Sequence, residues 1–249
     1  MQHLKSDYYE IICHLGIMNQ QLISRSLGLG LIHDAHYLKQ IDEQLLYLLK
    51  QARPKFDFTA HIAGRNALLV GEGNLSFALS LSKRKVINPR QLTTSTYEIE
   101  SQLSDLTLAN AASLRKAGAT VLHGVNAWKL DTSFGSQVFD HIIFQFPHVG
   151  SREPIRGHNP NFVLVRDFLK SASKQLAANG TVMISAVDTP HYHGAFQFGI
   201  VAANAGFQPP EVYIFDPDDF PDYTHTMTHQ DGDALTHHDT FATWVFKRG

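Results

Sequence analysis

Residues 68–77 read LLVGEGNLSF. A short apolar run leads into two glycines one residue apart, and an asparagine and a serine follow as the pattern turns amphipathic. In an open α/β sheet, the place where a buried strand hands over to a helix through a glycine turn is where backbone comes close to a ligand. Gly71 and Gly73 stand at that handover, so the stretch predicts a nucleotide-like cofactor lying across the end of the first strand. A dinucleotide fingerprint would carry a further Gly or Ala at position 76, where this chain has Ser76, and NAD is disfavoured on that ground.

Outward from the turn, strand and helix patterns alternate. NALLV (66–70) is the first strand and LSFALSLSK its helix. QLTTSTYE (91–98) reads as a second strand, followed by a helix over SDLTLANAASLRKAG that ends on Gly118 as C-cap. ATVLHGV (119–125) and FDHIIFQF (139–146) are the third and fourth strands. NFVLVRDFLKSASKQLAANG reads as an amphipathic helix closed by Gly180, and TVMISAV (181–187) as strand five. One helix over AFQFGIVAANAG then precedes EVYIF (211–215). The last strand, DTFATWVFKR, is reached by a polar loop rather than a helix, and a strand so reached most simply enters antiparallel. The expectation is an α/β, doubly wound Rossmann-like sheet of seven strands, six parallel plus a C-terminal antiparallel one. That arrangement describes class I methyltransferases better than nicotinamide dehydrogenases.

Residues 1–62 differ from the Rossmann-like domain expected over 63–249. Apolar residues recur at helical spacing in YYEIICHLGIMNQQLI and YLKQIDEQLLYLLKQ, with Pro54 after the second. This helical N-terminal extension is expected to cover the mouth of a site, cap a sheet edge, or form a homodimer.

With 249 residues, 43% of them hydrophobic and 18% charged, the chain has enough apolar surface for one large α/β domain with an appendage. The N-terminus lacks a signal-peptide pattern and no apolar run approaches the roughly 20 residues a membrane helix needs, so a cytoplasmic protein without a membrane partner is expected. The single Cys13 fits a reducing compartment. Twenty-one Lys and Arg against 23 Asp and Glu exclude a global basic field and weigh against a large RNA substrate, although Lys83, Arg84, Lys85 and Arg90 could face a phosphate backbone locally.

The second strand ends in Tyr97-Glu98, at a spacing from Gly71 where a carboxylate accepts both hydroxyls of a ribose. The third ends in HGVNAWKL, where Asn126 can bond an adenine edge and Ala127-Trp128 lie beside it. Gln145-Phe146-Pro147-His148 leaves the fourth strand as a polar, aromatic and proline corner. There, Gln145 offers an amide to the N–H and C=O pattern of a planar ring, Phe146 can stack on it, and His148 is the candidate general base.

The stretches LLVGEGNLSFALSL, TSTYEIESQL, GATVLHGVNAWKL, FDHIIFQFPHVG, NFVLVRDFLKSASKQLAANGTVMIS and FDPDDFPDYTHTMT run in order over some three quarters of the chain. Together they resemble the Rossmann-like domain of the ribosomal RNA (uridine-N3)-methyltransferases, with GEGN-x-SF and F-x-FPH-x-G the most specific matches. The resemblance implies S-adenosyl-L-methionine as cofactor and uridine N3 of RNA as acceptor. It assigns the cofactor loop to Gly71, Glu72, Gly73, Asn74 and Ser76, the ribose to Glu98 beside Tyr97, and the adenine to Asn126 and Ala127. It puts Gln145, Phe146, Pro147 and His148 at the reacting end. Asn126 and Gln145 stand where the family usually has Asp and Asn, and Thr226-Met227 where it has a basic pair. A small heterocyclic substrate, or a non-catalytic cofactor-binding module, remain the alternatives.

Of the fifteen histidines, six gather toward the C-terminus: His191 and His193, then His225, His229, His237 and His238 near Asp231, Asp233 and Asp239. Such ligands suit zinc or iron. Their segment is rich in Thr, Asp and Gly with no helix to align them, so a polar substrate-facing loop is expected and no metal site.

Overall fold

The computed structural model describes residues 2–151, 153–227, 230–233 and 240–249. The chain divides into two compact units, Met1–Lys55 and Phe56–Gly249.

In the first unit, α1 (Gln2–Gly28) and α2 (Ile32–Ala52) form a helical hairpin around a three-residue turn. Ile12, Ile23 and Ala35 are buried, and the buried Asn19 donates from Nδ2 to the Leu38 carbonyl at 2.8 Å. That bond registers the two helices against each other. Ile11, Leu15, Ile17, Met18 and Leu22 on α1 are exposed.

The second unit opens with α3 (Phe58–Ile62), followed by β1 (Ala67–Val70), α4 (Ser76–Lys83), β2 (Leu92–Ser95), α5 (Asp105–Ala117), β3 (Thr120–Leu122) and α6 (Leu130–Phe134). Next come β4 (Phe139–Gln145), α7 (Pro160–Gln175), β5 (Leu176–Val187), α8 (Pro190–Phe196), α9 (Phe198–Asn204) and β6 (Glu211–Ile214). The chain finishes with β7 (Thr226–Met227), β8 (Gln230–Asp233) and β9 (Phe241–Lys247). The main sheet has the order β3-β2-β1-β4-β5-β9-β6, and β7-β8 form a separate pair. Strands β1 to β5 are parallel, and β9 enters antiparallel between β5 and β6. The seven-stranded sheet with its late antiparallel strand is the one the sequence pattern predicts.

Alternation along the strands divides the core between the two faces. Leu68, Val70, Ile142, Phe144, Val182 and Ile184 pack with Phe168 and Leu169 of α7 and with Val201 of α9. On the other face, Ala67, Leu69, Ile143 and Met183 pack with Phe77 and Leu81 of α4 and with Phe58 and Ile62 of α3. The expected boundary at residue 62 therefore moves to 55/56. Phe56 donates its N–H to Ile214 O at 2.8 Å, and the Phe58 ring lies 5.4 Å from both Phe77 and Phe220, which ties α3 to the sheet unit.

Two helix boundaries also differ from expectation. The helix expected to close on Gly180 ends at Gln175, because buried Leu176 turns extended and pairs with Phe139. Gly180 lies inside β5, where a Cβ would meet Asp140 O at 2.7 Å and Leu176 at 2.8 Å. The single helix expected over residues 195–206 is broken at Gln197, whose φ is +51°. Residues two apart on a continuous helix point to opposite sides. The left-handed break instead stacks Phe196 on Phe198, with centroids 5.1 Å apart, inside the same core.

The order reverses between β1 and β4, so the crevice outside the carboxyl ends of these strands is the topological switch point of the sheet.

Candidate active site

At the end of β1, Gly71 adopts φ +66°, and a Cβ there would lie 2.7 Å from Phe144 Cε2 on β4. The left-handed backbone and the Phe144 ring each require the position to be bare. Glu72 donates its N–H to Ser95 O at 2.9 Å, and Ser95 Oγ donates to Leu69 O at 3.1 Å, which lash the turn to β2.

The Glu72 carboxyl is buried. Its Oε2 accepts from Ala78 N at 3.2 Å and Thr94 Oγ1 at 3.4 Å, while Oε1 is buried without a partner among the described residues. Burial pushes its pKa up to about 8 against the pull of those two donors. At neutral pH the group is therefore mostly a carboxylic acid. With Oε2 accepting from two donors, Oε1 is the oxygen left to carry the proton.

Asn74 and Ser76 are committed within the chain. Asn74 Oδ1 accepts from Ser76 N at 3.0 Å, and Nδ2 donates to Thr224 O and Thr224 Oγ1, each at 3.0 Å. Ser76 Oγ donates to Thr224 O at 3.0 Å and accepts from Thr224 N at 3.1 Å. Asn110 Nδ2 holds the Asn74 carbonyl at 2.8 Å. These two side chains form a staple between the glycine turn and the chain around Thr224. Thr224 was missed in the sequence, where nothing pairs positions 150 residues apart.

The ends of β2 and β3 are joined by backbone bonds. Thr96 N donates to Leu122 O at 3.1 Å, Val125 N to Thr96 O at 3.0 Å, and Gly124 N to Glu98 O at 2.9 Å. These bonds align the Tyr97-Glu98 turn with the one carrying Asn126. Glu98 is exposed, Tyr97 is 67% exposed and Ile99 is exposed beside it. Asn126 Oδ1 accepts from Trp128 N at 2.9 Å, and its Nδ2 has no partner among the described residues. Ala127 is buried and Trp128 is exposed. A carboxylate, exposed apolar side chains and an unpartnered amide donor on one rim are the donor set that a ribose, an aromatic base and a ring nitrogen require. The residues present fit an adenosyl group.

At the end of β4, Gln145 is 7% exposed, and both its Nε2 and its Oε1 are buried without a partner among the described residues. It pairs across the sheet with Ser185, whose Oγ is held by Thr243 Oγ1 at 2.9 Å. Phe146 has φ +47° and donates its N–H to Ser185 O at 2.8 Å. Its buried ring packs against Phe215, Phe241 and His225 at centroid distances of 5.4, 5.7 and 4.9 Å. It is thus part of the wall under the corner. Pro147 is buried and His148 exposed. His148 Nδ1 accepts from Gly150 N at 2.9 Å, so the lone pair needed by a general base is used to shape the loop.

The model of the family described as rRNA (uridine-N3-)-methyltransferase BTM5-like matches residues 68–227, more than half of the chain. The chain belongs to the BMT5-like family. Human ferredoxin-fold anticodon-binding domain-containing protein 1 is 33% identical over 168 residues, 62% of this chain and 26% of the relative. Heavy metal-associated isoprenylated plant protein 41 of Arabidopsis thaliana is 36% identical over 128 residues, 47% of this chain and 24% of the relative. The chain thus spans about a quarter of the length of either. Among solved structures, the 30S ribosomal A1408 methyltransferase from an uncultured bacterium is 12% identical with a TM-score of 0.50, over 78% of this chain and 95% of that one. That likeness places the sheet among Rossmann-like methyltransferase folds.

Within this BMT5-like domain, a pair the sequence reading did not single out stands beyond the end of β5. Asp188 is buried, and its Oδ1 lies 2.6 Å from His193 Nε2 on α8. An acid directly after an apolar strand and a histidine in the first turns of the next helix are its only trace in the sequence, and His193 reads there as one of the metal-type histidines. Among the described residues no group of three His, Cys, Asp or Glu is arranged to hold a metal. His229, His237, His238 and Asp239 lie outside the described residues. Of the basic patch, Lys83 pairs with Asp222 at 3.7 Å and Arg84 lies over the Phe220 ring at 6.0 Å. Among the described residues no helix is long and apolar enough to cross a membrane.

Proposed function

We propose that this chain is an S-adenosyl-L-methionine-dependent methyltransferase that methylates N3 of uridine in RNA. The observation that carries the reading is Gln145, whose amide oxygen and nitrogen are both buried and unpartnered at the switch point of the sheet. Leaving a buried donor or acceptor unsatisfied costs about 1–3 kcal/mol for each group, so an empty amide at this place is explained by a ligand that fills it. A planar imide fits, because its N–H and adjacent carbonyl meet a carboxamide's acceptor and donor together.

The bound cofactor supplies a methyl carbon made electrophilic by a sulfonium. The chain's own residues do the rest. Glu98, with Tyr97 beside it, binds the ribose hydroxyls, and Asn126 and Ala127 take the adenine edge. The backbone of Gly71, Glu72 and Gly73 lines the floor, with the protonated Glu72 as a donor. Asn74 and Ser76 act from behind, fixing that floor to Thr224. Gln145 orients the acceptor ring on walls formed by Phe146 and Pro147, and His148 sets the course of the loop. Proximity and exclusion of water then account for most of the acceleration.

The same edge recognition suits a ring nitrogen of a small heterocyclic metabolite, and the net charge of −2 favours that second reading. Incubation with cofactor labelled in the methyl group, in the presence of total RNA or a small-molecule extract, separates the two. Label recovered as N3-methyluridine after digestion of the RNA supports the first. Label confined to the extract supports the second, and calorimetric binding of S-adenosyl-L-methionine without transfer to either overturns both.

A further inference from the structure

A ring nitrogen that carries a proton must lose it to become a good nucleophile, and His148 is occupied with its own loop. Beyond the carboxyl end of β5 the chain holds another imidazole in the arrangement a base requires. Asp188 is fixed on the sheet frame: its N–H donates to Thr240 O at 2.9 Å and its carbonyl accepts from Thr240 Oγ1 at 3.1 Å. Its carboxylate meets His193 Nε2 at 2.6 Å. The ring is held on a second side by Trp244, edge to face at a centroid distance of 5.9 Å, while the His193 side chain remains 38% exposed.

A carboxylate accepts only, so in the neutral ring Nε2 carries the hydrogen and the lone pair resides on Nδ1. Nδ1 has no partner among the described residues. β5 is the strand next to β4, and Gln145 pairs with Ser185. Asp188 follows three residues later, about 10 Å further along at the strand rise. The dyad therefore lies beyond the carboxyl end of β5, on the far side of β4 from the glycine turn.

We propose that His193, oriented by Asp188, is the general base of the transfer, an assignment that rests on the function proposed above. The proton on the acceptor nitrogen passes to Nδ1 of His193. The electron pair it leaves on that nitrogen forms the bond to the methyl carbon, and the pair of the broken carbon–sulfur bond stays on sulfur. The imidazolium formed is stabilised by the Asp188 carboxylate 2.6 Å away, and it returns its proton to water after product leaves.

The test uses the full chain, labelled cofactor and total RNA, with cofactor affinity read by calorimetry. His193→Ala is expected to slow transfer by about 100-fold or more while leaving cofactor affinity within about twofold, and added imidazole should restore part of the rate. His193 is half-buried beside Trp244, so His193→Asn serves as a second variant that keeps part of the side chain. Independently of activity, the nitrogen chemical shifts of the neutral wild-type ring should show hydrogen on Nε2, and Asp188→Asn should move it to Nδ1, because an amide can donate where a carboxylate cannot. Asp188→Asn should also slow transfer by about tenfold or more, through His193. Transfer within about threefold of wild type in both His193 variants, or hydrogen on Nδ1 in the wild-type ring, would overturn the dyad alone. Failure of the wild-type chain to label RNA overturns the proposed function and the base assignment with it.

Discussion

Asn74 at the end of β1 and Gln145 at the end of β4 carry the same amide and are buried to a similar degree, 9% and 7% exposed. Asn74 uses both ends of its amide within the chain, on Ser76 and Thr224, whereas Gln145 uses neither within the described residues. The turn that floors the crevice is finished without a ligand. The corner where an acceptor would react has its polar atoms in place and unanswered. Rigid support at one end and unpaired groups at the other is what a site must have to hold one partner fixed and read the other.

The largest expected effect breaks the finished end. Gly71→Val puts a branched side chain on a left-handed backbone, and its Cβ 2.7 Å from the Phe144 ring. Strain and overpacking together should cost about 2–5 kcal/mol, read by urea denaturation. Gly71→Ala combined with Phe144→Leu should recover part of the loss, since the ring edge is what the new carbon meets. A Gly71→Val chain of normal stability that fails to bind cofactor would reverse the argument and put the ligand, not Phe144, against that glycine.

Glu72 is the finished end's exception, and its effect depends on pH. Its folded pKa of about 8 lies above the ordinary carboxylate range, so between about pH 4.5 and 8 the folded chain holds a proton that the unfolded chain has lost. The stability this group contributes is complete below pH 4.5 and declines as pH rises through that window, by an amount on the order of a few kcal/mol. Glu72→Gln keeps the shape and cannot ionise. Its stability relative to wild type should therefore improve from pH 5 to pH 9 in parallel denaturation curves, and equal slopes would show that Glu72 is solvated.

At the unanswered end the sign inverts at constant pH. Gln145→Leu replaces two orphan polar atoms with apolar surface of similar volume, and should stabilise the chain by about 1–2 kcal/mol. Methyl transfer should fall with cofactor affinity unchanged. A destabilised Gln145→Leu chain would mean that the amide is already satisfied in solution and that the two ends are alike.

How much of this is visible in the one-dimensional chain follows from the range of the interactions. The sheet is legible because alternation and glycine turns are local, and the late strand over Phe241–Lys247 announces its direction by lacking a preceding helix. The four strand-end segments are legible for the same reason, since topology alone gathers them at one edge. Gln197 is not, because nothing local marks a glutamine for φ +51°; the break is imposed by Phe196 and Phe198 competing for one core. Gly71 is read in the sequence as space for a ligand, and nothing local shows that Phe144, far off in the chain, also needs that space. Asn74 and His148 illustrate the same limit: residue type says what a side chain can do, and the neighbours that engage it here lie outside any local pattern.

The smallest effect tests that last point directly. Asn74→Ala removes two donors from Thr224 and one acceptor from the Ser76 N–H, while Ser76 Oγ still holds both the Thr224 carbonyl and its N–H. Because half of the staple survives and Asn74 lies near the crevice, where water can replace a lost partner, the global cost should be only about 1 kcal/mol. The local cost should be larger in kind, with faster hydrogen exchange at the amide of Thr224 and unchanged exchange along β4 and β5. Cofactor affinity should fall modestly, through the loosened floor rather than a lost contact, and Asn74→Asp should fall further because a carboxylate cannot donate to the Thr224 carbonyl. If Asn74→Ala instead leaves exchange at Thr224 untouched and abolishes cofactor binding, Asn74 is a ligand-facing amide like Gln145. The asymmetry between the two ends would then belong to the isolated chain and not to the working site.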